Sequence, residues 1–308
     1  VGAPPSAQVS GARRAGAGLL VTPELGLLGY PPRDLVLRAG VAEGCVRAAE
    51  RLAAAYPEMT MLLGLVRPTP DGPRPCANSI ALCRGGAIQA FYDKRLLPTY
   101  DIFDEERYFT PGHAPLLFDF EGRRIGVLIC EDLWRAVDAG PARRYRDDPA
   151  AEAIAAGAEV LLVASASPFV IGKHQVQQRL AAEASRRLGV PVLICNQVGW
   201  NDDLIFDGGS MLALPARSGI TELARFQERI EVFEIPAAGE GHSPRPDPPP
   251  TEPMAEVWSA LLLGVSDYLR KTGHSTVVVG LSGGIDSALV AALASAAIGP
   301  MHVHGLLM

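Results

Sequence analysis

Short apolar runs separated by helix-length stretches recur along most of this chain, and that alternation limits its folds more than any other feature. The runs fall at 18–21, 61–66, 80–83, 125–130, 160–164, 190–195, 210–214 and 230–235. Each is as short as a buried strand, and most are flanked by turn formers. Helical stretches at 33–55, 149–156 and 175–188 lie between them. In the last, Val176, Leu180, Ala181 and Ala184 share one face, while Arg179, Glu183, Arg186 and Arg187 fall elsewhere. Gly189-Val190-Pro191 then stops the helix and opens a strand. This order predicts an α/β fold whose helices cover sheets.

A length of 308 residues suggests about two domains. The boundary lies at 237–253, where Pro244, Pro246, Pro248, Pro249, Pro250 and Pro253 follow Gly239 and Gly241. Consecutive prolines supply no ladder or helix donors, so this segment reads as an extended, semi-rigid connector. Beyond it the pattern restarts. A helix at 252–271 carries Val257, Leu261, Val265 and Leu269 four apart, followed by a strand at 275–280, a Gly-rich stretch at 281–287 and a helix at 288–298. The expected division is a first domain over 1–236, a linker over 237–253 and a second domain over 254–308. The last residues, Leu306-Leu307-Met308, stand in an apolar run, so the second domain is expected to be partial, truncated at its C-terminus.

Composition excludes several function classes. Hydrophobic residues at 48% and charged residues at 20% exclude wholesale disorder. The 28 Lys+Arg against 34 Asp+Glu give a net charge of −6, which argues against a nucleic-acid or polybasic membrane partner. No segment approaches the roughly 18 uninterrupted apolar residues of a membrane helix. Five cysteines at irregular spacing form no disulfide framework, which fits a reducing cytosol and predicts a cytoplasmic protein.

Two motifs carry chemistry. Ser282-Gly283-Gly284-Ile285-Asp286-Ser287 comes directly after the apolar strand that contains Val277-Val278-Val279-Gly280 and precedes a helix. Such a loop exposes backbone N–H groups to an anion, and no Gly-Lys-Ser/Thr follows to make it a Walker loop. Its serines can donate to phosphate oxygens, and Asp286 can bind Mg²⁺. The second motif is Ile129-Cys130-Glu131-Asp132, a thiol at a strand end. Glu131 and Asp132 oppose a thiolate, so activation requires a cation and a base from elsewhere. Lys94 and Glu24 are the candidates. Singly, each has a plain reading: an inert strand-end Cys, a solvated Lys, a turn Glu.

Taken together, Glu24, Lys94 and Cys130 resemble the carbon–nitrogen hydrolase (nitrilase) superfamily, whose catalytic Glu, Lys and Cys come from three strand ends. Pro23-Glu24-Leu25, Gly29-Tyr30-Pro31-Pro32-Arg33-Asp34-Leu35, Lys94-Arg95-Leu96-Leu97-Pro98-Thr99-Tyr100, Ser167-Pro168-Phe169 and Phe206-Asp207-Gly208-Gly209 are more specific. They resemble the glutamine-dependent NAD⁺ synthetase family, which joins a nitrilase-like glutaminase to an ATP-pyrophosphatase domain. The resemblance implies a four-layer αββα sandwich followed by the start of a Rossmann-like domain. It implies Glu24 as general base, Cys130 as nucleophile, Lys94 as the supporting cation and Glu105 as a second glutamate of the site. Tyr100, Ser167 and Lys173 match positions that hold glutamine. Gly280, Leu281, Ser282, Gly283, Gly284, Ile285, Asp286 and Ser287 would take ATP, with Mg²⁺ at Asp286.

The implied reaction is a ligase reaction with glutamine and deamido-NAD as substrates, ATP and Mg²⁺ as cofactors, and a homo-oligomeric enzyme. A stand-alone amidase of the same superfamily, with a regulatory nucleotide-binding C-terminal segment, is the alternative. It has no need of the phosphate loop. A non-enzymatic scaffold is opposed by the presence of Glu24, Lys94 and Cys130 together. Weaker features have plain readings: His174 as a surface side chain, Trp200-Asn201-Asp202-Asp203 as a polar turn, and His302 and His304 as ordinary strand residues.

Overall fold

The computed structural model describes residues 5–134, 145–215, 220–235 and 252–308. Two sheets face each other between helical layers. The first has the order β1-β2-β3-β4, built from Leu19–Val21, Thr60–Pro68, Cys76–Arg84 and Ala87–Asp93. In it β1 and β2 are parallel, and β2, β3 and β4 are successively antiparallel. The second contains β5 (Leu116–Phe120), β6 (Arg123–Ile129), β7 (Val160–Ser165), β8 (Val192–Asn196), β11 (Met211–Ala213) and β12 (Ile220–Glu222). Its order is β12-β11-β8-β7-β6-β5, with β6, β7 and β8 parallel. A separate hairpin pairs β9 (Val198–Asn201) with β10 (Leu204–Asp207).

Side-chain alternation explains why the central strands read as continuous apolar runs. Leu62, Ile80, Leu82 and Tyr92 face the second sheet and join a core with Leu128, Val163 and Ile194. Met61, Leu63, Leu65, Ala81 and Cys83 face outward and are covered by helices α1 (Pro5–Arg14) and α2 (Val41–Ala55). A strand buried on both faces has no polar side to show. On the far side, α3 (Pro149–Ala155) and α4 (Lys173–Leu188) cover the second sheet through Ala150, Ala153, Ala181 and Ala184. Helix, sheet, sheet and helix are the four layers.

Helix ends follow local chemistry. The Asp148 side chain accepts the Ala151 N–H at 2.9 Å and caps α3. Gly189, at φ 73°, ends α4. Beyond the sandwich, α5 (Pro253–Thr272) begins on a proline and ends at Gly273. Parallel strands β13 (Val277–Leu281) and β14 (Val303–Leu307) then flank α6 (Ile285–Ile298).

Several sequence expectations are corrected. The stretch 33–55 is divided: a 3₁₀ turn at Arg33–Leu37 precedes α2, and Gly40 at φ 82° breaks the continuity. Residues 230–235 form no strand, and Ile230 and Val232 are 42% and 43% exposed. On α4, Val176 is 40% exposed, whereas His174 and Ser185 are buried with Ala181 and Ala184. His302 lies in a 3₁₀ turn ahead of β14, and only His304 is on the strand. Most of the Pro-rich 237–253 segment lies outside the described residues.

Candidate active site

Lys94 follows the last residue of β4, and its backbone N–H still bonds to Asn78 O at 2.8 Å. Strand alternation therefore turns it to the same side as Tyr92, into the space between the sheets. Its side chain is 1% exposed. A buried ammonium needs opposite charge, and two carboxylates supply it: Nζ lies 2.7 Å from Glu24 Oε1 and 2.8 Å from Glu105 Oε1. Burial alone would discharge the amine. Glu105 and Glu24 outweigh that and hold its pKa well above the usual lysine value.

Glu24 stands on the turn after β1. That turn packs so closely on β2 that a Cβ on Gly64 would meet Pro23 O at 2.1 Å and Leu25 N at 2.8 Å. The Thr22 hydroxyl accepts the Gly64 N–H at 2.8 Å and donates to Leu62 O at 3.2 Å, fixing the register. Besides Lys94, Glu24 Oε1 accepts Asn78 Nδ2 at 2.7 Å, and Oε2 accepts the Ala166 N–H at 3.1 Å. Glu105 opens a 3₁₀ turn, Glu105–Arg107. Its Oε1 accepts Lys94 and, at 2.8 Å, the Tyr30 hydroxyl, while its buried Oε2 has no hydrogen-bond partner among the described residues. One ammonium cannot neutralise two buried carboxylates. Burial pushes Glu105 up to about 7, with Lys94 opposing the rise and Glu24 adding to it.

Cys130 begins the 3₁₀ turn Cys130–Leu133 directly after β6, at φ 45°. A non-glycine residue in this region stores on the order of 1–3 kcal/mol, which the surroundings must hold. Asp132 does so. Its Oδ2 accepts Ile129 N–H at 3.2 Å and the Tyr92 hydroxyl at 2.8 Å, and its Oδ1 accepts the N–H groups of Arg95 at 3.1 Å and Leu96 at 2.8 Å. The turn bearing the thiol is thereby tied to the chain that bears Lys94. From the adjacent strand, Ser165 Oγ lies 3.4 Å from Cys130 Sγ. Ser165 and Ala166, consecutive residues at the end of β7, thus touch the thiol and the Glu24 carboxylate respectively. Burial and Glu24 push the thiol up to about 12, with Lys94 opposing.

The expected glutamine-holding residues join this centre by short links. Tyr100 OH donates to Glu131 Oε2 at 3.0 Å, and Tyr145 OH donates to Oε1 at 3.1 Å. Ser167 N–H bonds to Asn196 Oδ1 at 2.9 Å, and Ser167 Oγ accepts Gln177 Nε2 at 2.6 Å. Lys173 Nζ donates to Pro168 O at 3.1 Å. Sequence reasoning overlooked Tyr30, Asn78 and Ser165 as partners, and the structural use of Asp132. Of these, Tyr30 and Asp132 lay inside motifs singled out in the sequence, and Asn78 and Ser165 did not. His174 is 4% exposed, its Nε2 2.5 Å from Glu222 Oε1 in a contact outside hydrogen-bond geometry, so it is a core residue rather than a surface one.

The Gly-rich turn lies between β13 and α6. Gly283 has φ 79° with open space around its missing Cβ, so backbone conformation and not crowding demands glycine. Ser282 Oγ and Ser287 Oγ are 3.3 Å apart, and Ser287 Oγ donates to Gly284 O at 3.0 Å. Ser282, Gly283, Gly284, Ile285 and Asp286 are exposed. Among the described residues no group of three or more His, Cys, Asp or Glu side chains is arranged to hold a metal.

A thiol, a buried carboxylate and a fixed ammonium can make and break an acyl thioester. Comparison with known proteins identifies the family. A carbon-nitrogen hydrolase family model matches residues 7–241, and an NAD synthase model matches 257–308. A glutamine-dependent NAD(+) synthetase of Synechocystis sp. is 40% identical over 303 residues, covering 96% of this chain and 54% of the relative. The structure of an Acinetobacter baumannii glutamine-dependent NAD+ synthetase in complex with ADP superposes with a TM-score of 0.86 at 32% identity, covering 98% of this chain and 55% of that one. A variant amidase from Nesterenkonia sp., carrying the acetamide moiety of fluoroacetamide at its active-site cysteine, superposes with a TM-score of 0.58 at 27% identity over 71% of this chain and 78% of its own. The chain spans about half the length of the curated relatives it matches. It belongs to the carbon–nitrogen hydrolase family, and its hydrolase fold runs on into an NAD synthase segment, the order found in the glutamine-dependent NAD⁺ synthetases it resembles.

Proposed function

We propose that this chain carries the ammonia-releasing half of a glutamine-dependent NAD⁺ synthetase, together with the phosphate loop of its ATP-dependent half. The observation that carries the reading is the Lys94 ammonium held between Glu24 and Glu105 next to the Cys130 turn. Glu24 takes the thiol proton as Sγ attacks the side-chain amide carbon of glutamine. Lys94 stabilises the oxyanion that develops there. The C–N bond then breaks, ammonia leaves with the returned proton, and water releases glutamate from the thioester. Ser167, Lys173 and Tyr100 would hold the amino-acid end, since a carboxylate wants a fixed cation and hydroxyl donors.

In the second half, ATP would adenylate the carboxylate of deamido-NAD, and ammonia would displace AMP to give NAD⁺. Residues 280–287 would cradle pyrophosphate. The exposed Asp286 carboxylate, a hard oxygen donor, is the residue that would hold Mg²⁺. Mg²⁺, when bound, would neutralise phosphate charge. The unpaired thiols of Cys45, Cys76, Cys83, Cys130 and Cys195 support a reducing, cytoplasmic setting. The segment matched at 257–308 favours this reading over a stand-alone amidase.

The decisive measurement is glutamate release from glutamine by the purified chain, with Cys130→Ala as control. Turnover that vanishes in the variant, with trapping of glutamine-derived thioester on Cys130, is expected. Equal activity in both proteins, or hydrolysis of simple amides but not glutamine, overturns the assignment.

A further inference from the structure

Helix α5 is fastened to the sandwich by charges that are almost wholly buried. Arg225 Nη1 donates to Glu256 Oε1 on α5 at 2.7 Å, and its Nε and Nη2 donate to Asp207 Oδ2 at 3.0 and 2.8 Å. The three side chains are 13%, 3% and 5% exposed. Nearer its C-terminal end, the α5 residue Asp267 accepts the Trp200 N–H of β9 at 2.6 Å and is paired with Lys271 at 2.8 Å. Buried ion pairs contribute little net stability compared with apolar packing, but they fix geometry, because every misplacement strands a charge.

What they fix lies against the candidate site. Asp207 leads into Gly208 and Gly209, both at positive φ. Gly208 O accepts Asn196 Nδ2 at 2.7 Å, and Asn196 Oδ1 accepts the Ser167 N–H at 2.9 Å. In parallel, the Phe169 N–H bonds to Ile205 O at 2.7 Å, so one end of Ser167-Pro168-Phe169 bonds directly to the stretch that Arg225 holds and the other reaches it through Asn196. A run of hydrogen bonds, with one covalent step from Asp207 to Gly208, thus extends from Glu256 through Arg225, Asp207, Gly208 and Asn196 to Ser167.

We propose that Arg225 is a positioning residue through which α5 sets the geometry of the Ser167 segment and hence the affinity for glutamine. The inference rests on the glutamine reading of the site. Its physical core, mechanical linkage of residues 165–170 to α5, does not. Because coupling between sites is reciprocal, a change at the synthetase helix would reach the amide-hydrolysing site by this route.

The test compares the parent chain with Glu256→Gln, Arg225→Gln and the double variant. Glu256→Gln keeps a neutral hydrogen-bond partner and is the variant that folds if Arg225→Gln does not. Either single variant is expected to raise the KM for glutamine about fivefold to tenfold with kcat changed less than about twofold. The double variant should show no more than the larger single effect, as members of one network do. Amide hydrogen exchange across residues 165–170 should speed up in the same variants without glutamine present. Unchanged exchange and an unchanged KM in folded Glu256→Gln overturn the proposal, as does a loss confined to melting temperature. A parent chain that does not hydrolyse glutamine, in variants whose exchange nevertheless rises, removes the substrate assignment and leaves the linkage standing.

Discussion

Lys94 Nζ and Glu24 Oε1 are 2.7 Å apart, and each side chain is 1% exposed. A pair this deep is asymmetric in its consequences. Breaking it by removing one partner typically costs about 3–5 kcal/mol, because the other charge is left in the interior. Lys94→Met would leave Glu24 and Glu105 facing each other without a cation. It is expected to unfold at markedly lower urea concentration as well as to lose glutamine hydrolysis. Glu24→Gln is the informative counterpart. Its amide oxygen can still accept from Lys94 and Asn78, whereas the amide nitrogen would face the Ala166 N–H and cannot take a proton, so it should fold with about 1–3 kcal/mol of loss while hydrolysis falls at least about 100-fold. Urea midpoints and glutamate release on the two variants check both halves. Near-normal turnover in Glu24→Gln would remove Glu24 as the base.

Glu105 gives the site a pH signature. Burial raises its carboxyl to about 7 against an ordinary 4.5, Lys94 opposing. Between those values the folded protein holds a proton that the unfolded chain has released. The corresponding stability is therefore complete below about 4.5 and is lost as pH rises through about 7. The whole effect is bounded at about 3 kcal/mol by the size of the shift. Glu105→Gln, whose amide nitrogen can occupy the unpartnered Oε2 position, should remove this part of the pH dependence. Asp132, raised to about 6 by burial, has the same sign and is common to both proteins. The measurement is the difference in unfolding free energy between parent and variant at pH 5 and pH 8. A difference that does not change with pH contradicts the assignment.

The thiol provides an independent check on Glu24. Burial and then Glu24 raise Cys130 to about 12, and Lys94 works against them. The resting Cys130 side chain is thus a neutral thiol, activated only as its proton departs. Its alkylation by a small methanethiosulfonate should climb with pH and show no plateau near neutrality. Glu24→Gln removes a negative charge and should make Cys130 more acidic, so this labelling accelerates in the same variant whose glutamine hydrolysis collapses. Peptide mass spectrometry localised to Cys130 reads the first effect. Slower labelling in Glu24→Gln would mean that Glu24 assists alkylation itself and that its charge is not what restrains the thiol.

The central strands of the second sheet were legible because nothing polar interrupts them, and Cys130 stood at the end of one of them, β6. The edge strand β4 was not, since Ala87–Asp93 alternates exposure and mixes polar with apolar residues. The hairpin β9–β10 was hidden by its turn: Asp202, at φ 54°, reads as surface, and the apolar run beside it, Leu204-Ile205-Phe206, is only three residues long. Residues 230–235 misled in the opposite direction, since their alternation has no ladder partner among the described residues. Lysine burial is least legible of all. Whether Lys94 is solvated or enclosed depends on carboxylates 70 and 11 positions away, which no local pattern connects. Arg225 escaped notice for the same reason, because its partners lie 18 and 31 positions off.

Gly64 supplies the sharpest steric prediction. It sits in the middle of β2, where glycine is ordinarily unfavourable, but the Glu24 turn occupies the volume that a side chain would need. An alanine Cβ there would meet Pro23 O at 2.1 Å, Leu25 N at 2.8 Å and Gly26 N at 3.0 Å, all of them backbone atoms that no rotamer change can move. The turn must therefore retreat from the strand. Leu25, at φ 50°, has little freedom to absorb the shift, and the Glu24 carboxylate would leave Lys94. Gly64→Ala is expected to cost about 1–3 kcal/mol in unfolding free energy. Because a displacement of roughly 1 Å at a reacting group costs about 100-fold in rate, glutamine hydrolysis should fall by about that factor in the protein that remains folded. A Gly64→Ala protein with parental melting temperature and parental glutamate release would show that the turn does not depend on the gap this glycine leaves.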